Sequence, residues 1–143
     1  MKKRSLIPIF LLLAGQLFAQ NFQKTALGVK TKLQSIDVEV QFYSPSIVRV
    51  LKSPVGVAFK KESLSVTKKP QQTKFTIQQK GDIVSLKSEK LKVDVDVKSG
   101  KISYYTIAGT ALLNEAASGA TFTDFDDAGS KTYSVNQLFT LDK

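Results

Sequence analysis

The chain has 143 residues, a formal charge of +9, and neither cysteine nor histidine. Those two absences exclude disulfide stapling, the usual zinc sites, and Ser–His–Asp or Cys–His nucleophiles, leaving carboxylates, lysine and tyrosine as the groups able to do chemistry. The charge does not point to nucleic acid, because the lysines are scattered and no basic stripe with interleaved aromatics or a recognition helix accompanies them.

The first nineteen residues read as a leader. Lys2, Lys3 and Arg4 precede an apolar run from Leu6 to Ala14, and Leu17-Phe18-Ala19 then gives way to Gln20. This is the plan of a secretory signal peptide with cleavage after Ala19. The run is too short for a bilayer span, which needs about 20 apolar residues. The domain organisation is therefore expected to be a leader over 1–19 and one domain over 20–143, in an exported protein of the periplasm or the extracellular space. Removing three of the 21 basic residues leaves 18 against 12 acidic ones, or +6. No membrane contact is expected after cleavage.

From Ala26 onward the pattern predicts strand after strand. Ala26 to Leu33 places Leu27, Val29 and Thr31 on one side. Ser35 to Tyr43 alternates Ile36, Val38, Val40 and Phe42 with Asp37, Glu39 and Gln41. Ser44-Pro45-Ser46 turns the chain into a strand from Ile47 to Leu51, and a loop from Ser53 carries Val57 and Phe59. A short strand is expected over Leu64 to Thr67, and longer ones over Lys74 to Gln79 and, after the turn Lys80-Gly81-Asp82, over Ile83 to Leu86.

The clearest segment is Leu91 to Glu115, LKVDVDVKSGKISYYTIAGTALLNE. Leu91, Val93, Val95 and Val97 alternate with Lys92, Asp94, Asp96 and Lys98, so one face is dry and the other wet. Gly100 and Gly109 break it into a three-stranded meander. Ala116 to Gly119 reads as a small-residue break with room for a helical turn. Strands over Thr121 to Phe125 and Lys131 to Leu141 follow, separated by Asp126-Asp127-Ala128-Gly129-Ser130. Turn signals recur every 8 to 12 residues or so, the rhythm of an all-β, antiparallel sandwich or barrel. One-sided strands favour the sandwich.

Three groups invite a chemical reading. Asp94 and Asp96 share a strand face, but a glycosidase acid–base pair spans about 5 to 10 Å across a cleft and comes from different elements. A solvated strand face is the better account. Asp124, Asp126 and Asp127 offer oxygen ligands on a glycine-containing loop, yet their spacing does not match a helix-flanked calcium loop, and ordinary turn use suffices. Tyr104 and Tyr105 face opposite ways, one toward the core and the other free to offer a ring to a sugar. No glycine loop precedes a helix as phosphate cradling requires. The residues thus nominate no catalytic, cofactor-binding or metal-binding residue, and no cofactor.

The run LKVDVDVKSGKISYYTIAGTALLNE resembles the amino-terminal, galactose-mutarotase-like β-sandwich of family 31 glycoside hydrolases, where an L-x-V-x-V strand, a glycine turn, an aromatic strand and a second glycine turn precede LL-x-E. Ile36 to Phe42, Ile47-Val48-Arg49-Val50 and the ending TYSVNQLFTLDK fit the same domain. The resemblance implies a retaining α-glycosidase acting on α-glucosides or α-xylosides, whose aspartates sit on a (β/α)8 barrel after this domain. Such a barrel takes about 250 residues, and none of its motifs occurs here. The expectation is an incomplete, non-catalytic sandwich that contacts carbohydrate through the parent enzyme, supports the cleft of a barrel in the same polypeptide, and is inactive alone. The alternative is a stand-alone secreted module that binds a glycan or a protein.

Overall fold

Alternation along the chain becomes two facing sheets. The computed structural model describes residues 22–33, 35–57 and 65–141. Its strands are β1 (Gln23–Lys24), β2 (Gly28–Lys32), β3 (Ile36–Ser44), β4 (Ile47–Pro54), β5 (Thr76–Lys80), β6 (Ile83–Lys87), β7 (Leu91–Asp96), β8 (Ile102–Thr106), β9 (Ala111–Asp127) and β10 (Ser130–Thr140). One sheet has the order β1-β2-β3-β4 and the other β10-β9-β8-β7-β6-β5, with every pairing antiparallel. Each sheet is a simple meander, and the chain changes sheets between β4 and β5. The leader segment and Phe59 lie outside the described residues.

The dry faces meet as the period of two requires. Ile36, Val38, Val40 and Phe42 of β3, with Val29 of β2, form one side of the core. Val84 and Leu86 of β6, Val93 and Val95 of β7 and Ile102 of β8 form the other, all fully buried. Each such side chain contributes about 1.5–3 kcal/mol of transfer free energy. With no disulfide or metal, this burial carries the fold. Phe75, just ahead of β5, stacks on Phe42 with ring centroids 5.6 Å apart. The Gln71 N–H donates to the Tyr43 carbonyl at 3.0 Å and pins the same approach segment. At the β6–β7 turn, the buried Ser88 hydroxyl donates to the Pro45 carbonyl at 2.6 Å, reaching the β3–β4 turn of the other sheet.

Apart from the two-residue β1, which lies ahead of the first expected strand, the strands fall close to where alternation put them, with three further differences. The segment expected as a short strand is not one over its described residues 65–67, which join neither sheet's ladder and where Val66 is 40% exposed. β4 runs on to Pro54, which pairs opposite Ile36. Proline is tolerated there because β4 is an edge strand.

The largest difference is at Ala116 to Gly119. No helical turn forms, and the two expected strands on either side are one strand of 17 residues, β9. The register with β10 passes from Phe139 opposite Glu115 to Gln137 opposite Ala120, so residues 116–119 face Leu138 alone. This is a large bulge. β10 satisfies the backbone on both sides of it, which removes the need for a local turn, and the extra residues bend the strand. Beyond the bulge the hairpin runs past the sandwich.

One glycine in the first sheet is fixed by space. A Cβ on Gly28 would stand 2.0 Å from the Val40 carbonyl oxygen, inside the β2–β3 ladder. We expect Gly28→Ala to push β2 off β3 and lower stability by about 3 kcal/mol, read as a drop in the thermal or urea midpoint. An unchanged midpoint would refute this close approach.

Candidate functional site at the root of the long hairpin

The residues singled out by sequence do not converge. Asp94 and Asp96 lie on the outer face of the six-stranded sheet, and each is engaged by its neighbours. Asp94 Oδ1 accepts the Ser85 hydroxyl at 2.6 Å, and its Oδ2 lies 2.9 Å from Lys92 Nζ. Asp96 Oδ1 accepts the backbone N–H groups of Lys98 at 2.8 Å and Ser99 at 3.1 Å, fastening the β7–β8 turn. Burial alone would raise the Asp96 carboxyl, but these bonds and the Lys98 charge outweigh it and hold the group below its ordinary value. Asp126 Oδ1 accepts the Gly129 N–H at 2.7 Å, a turn cap. Among the described residues no group of three acidic side chains gathers as metal ligands would.

The two tyrosines separate as their alternation requires. Tyr104 packs inward against the core, opposite Val93. Burial pushes its phenol above the usual tyrosine range, and the negative charge of Glu115 adds to the shift. Tyr105 faces outward, but Lys92 Nζ sits 4.9 Å from its ring centroid. The contact is a cation–π pair on the wet face of the sheet.

A centre that sequence reasoning missed lies where β9 bends. Glu115 is fully buried, and Lys52 of β4 reaches it from the other sheet with Nζ 2.5 Å from Oε2. The same oxygen accepts the Ile102 N–H of β8 at 2.8 Å. Gln137 of β10 donates to Oε1. Lys52 Nζ also donates to the Gly100 carbonyl at 3.0 Å. One carboxylate thus ties together β4, β8, β9 and β10. Gly119, at φ 65°, makes room: a Cβ there would stand 2.9 Å from the Gly100 oxygen and 3.2 Å from Lys52 Nζ. The signal was present in the sequence. Lys52 is in phase with Val48 and Val50, and Glu115 with Leu113. A charge on a dry face calls for a partner.

Beyond this centre the inner face of the hairpin continues the core line, and no described strand covers it. Ala120 is buried and Phe122 packs against the core cluster. Then Tyr133 is 41% and Val135 56% exposed, and at the outer edge Phe139 is 46% exposed. Phe122 and Tyr133 meet edge to face with centroids 6.3 Å apart. The four strands of one sheet do not extend under the full width of the six in the other.

This arrangement is a scaffold, with its only buried ion pair among the described residues spent on joining strands. Residues 37–143 match the family model described as the glycosyl hydrolase 31 N-terminal galactose mutarotase-like domain. The chain belongs to that family. A search of solved structures finds the family 31 α-xylosidase from Xanthomonas citri, at 27% identity and a TM-score of 0.74. The match covers 82% of this chain and 13% of the α-xylosidase. The all-β sandwich and the glycoside hydrolase membership expected from the Leu91–Glu115 run both hold.

Two outcomes test the centre. Glu115→Leu leaves Lys52 buried and unpaired, so stability should fall by about 4 kcal/mol. Pairing it with Lys52→Met should restore part of that loss, so that the double variant unfolds later in urea than Glu115→Leu alone. Additive losses would show that the two charges do not act as a pair. For Tyr104, a raised folded-state pKa means that its neutral form stabilises the fold fully below pH 10 and that this contribution is lost as pH rises through the higher folded value. Ultraviolet titration should show Tyr104→Phe removing the highest-pH ionisation. Loss of an ordinary transition instead would contradict its burial.

Proposed function

We propose that this domain is the non-catalytic sandwich of an exported α-glycosidase, where it packs against a catalytic barrel and helps shape the cleft for an α-glucoside or α-xyloside. The observation that carries this reading is the uncovered inner face of the β9–β10 hairpin. An apolar face that continues a core line past its covering sheet belongs against another layer of protein. The match to 13% of the α-xylosidase chain supports a larger partner within the same polypeptide. The lack of any convergent carboxylate pair among the described side chains fits a supporting role. Export follows from the leader-like first nineteen residues.

The test uses the chain as it stands. It should release no sugar from aryl α-xylosides or α-glucosides. It should also self-associate and bind a hydrophobic dye through the hairpin. Val135→Thr with Phe139→Ser should reduce both by severalfold while the thermal midpoint changes little. Clear turnover would overturn the non-catalytic role, and a monomer that binds no dye would overturn the docking face.

A further inference from the structure

β10 is the last strand of the six-stranded sheet, and no described strand pairs with its outer edge. We propose that a second copy of this chain pairs there, β10 against β10 and antiparallel about Asn136, so that two six-stranded sheets join into one. The pairing uses the edge of the hairpin and not the inner face assigned to the barrel, so it does not rest on that assignment.

The four sheet edges are not built alike. A free edge is a template for another strand, and proteins blunt it with shortness, charge or proline. β1 has two residues. β4 carries Arg49 and the inward-pointing Lys52 and ends at Pro54. β5 has five residues, bracketed by Lys74 and Lys80. β10 has eleven, all exposed, and its one charge is Lys131 near its start. Thr132 to Thr140 is a run of nine residues without charge, proline or glycine. Along it Tyr133, Val135, Leu138 and Phe139 are between 41% and 63% exposed.

Composition and phase select the occupant. An uncharged run offers nothing to an acidic or a basic peptide, but it complements itself. The antiparallel register centred on Asn136 pairs all nine residues and sets Tyr133 opposite the second copy's Phe139, an aromatic pair across the strands. The main chain is phased for this register. The two-residue turn Ala128-Gly129 makes Asp127 and Ser130 a hydrogen-bonded pair, and such pairs alternate with open ones along the ladder. Asn136 therefore turns its N–H and C=O toward Thr121 of β9, whereas Val135 and Gln137 turn theirs to the free edge. In the proposed pair these outward groups bond the second copy, giving about eight main-chain hydrogen bonds over the run. A two-fold contact of this kind closes on itself and stops at the dimer.

The register makes one position decisive. Asn136 is exposed on the wet face of β10 and would meet its own copy in an open pair, with Cα atoms about 4.5 Å apart. Like charges placed directly opposite repel. Sedimentation of the full chain should show a reversible dimer. Asn136→Lys and Asn136→Asp should each weaken it about tenfold, whereas Asn136→Gln should not. An equimolar mixture of the Lys and Asp variants should recover the dimer, and added salt should weaken that mixed dimer more than the wild-type one. The thermal midpoint of each variant should match the wild type, because the side chain touches no part of the core. A monomeric wild type, charged variants that dimerise as tightly as wild type, a mixture no more associated than its components, or association without a fixed stoichiometry would overturn the proposal. Dye binding reports the inner face and the charge-swapped mixture reports the edge, so failure of the docking face and failure of this pairing are told apart.

Discussion

The ion pair between Lys52 and Glu115 is the constraint on which the shape of this domain depends. Apart from the Ser88 hydroxyl at the β6–β7 turn, the described contacts between the two sheets are mainly apolar side chains, which are tolerant of small shifts in position. A buried carboxylate is not tolerant. Every hydrogen bond it accepts has a direction, and Glu115 accepts from one ammonium, one backbone amide and one side-chain amide. Buried ion pairs are weak evidence for stability, since desolvation offsets much of the attraction. Their value lies in geometry. Here the geometry fixes the place where β9 leaves the sandwich, and so the direction of everything in the hairpin beyond it.

Much of this was readable in the sequence, and the reason is physical. Leu91 to Val97 and Ile36 to Phe42 alternate without exception, and a strand with one buried face has a single permitted phase. The turns at Gly81, Gly100 and Gly109 are marked by their own residues. What was hidden was long-range. Ala116 to Gly119 looks like a break when only neighbours in sequence are weighed, because small residues favour turns. The backbone partners that keep it in a strand come from β10, twenty residues further on. Likewise Glu115 and Lys52 each break a dry-face pattern, but only the fold shows that one break answers the other. The family membership was legible for a different reason: the order of turns and ladders in the Leu91–Glu115 run is specific even where each piece alone is ordinary.

The unequal widths of the two sheets explain the division of the surface. Where four strands face six, the inner face is dry and polar groups are rare. Where the hairpin runs on alone, the same alternation continues but its apolar positions meet no cover. A ribbon of two strands is marginal by itself. This one is held at its base by a charge centre and by the anchoring of Phe122, which lets it project in a defined direction.

The Ser88 hydroxyl gives the domain a second fastening. It crosses from the β6–β7 turn to the Pro45 carbonyl at the β3–β4 turn, away from Lys52. Two sheets joined only by oily contacts resist separation far better than they resist sliding, because a lateral slip exchanges one apolar neighbour for another. A directional bond near each end blocks that slip. The pair of polar rivets therefore gives the sandwich shear stiffness, so that a load applied at the hairpin is passed to the whole body rather than absorbed between its layers.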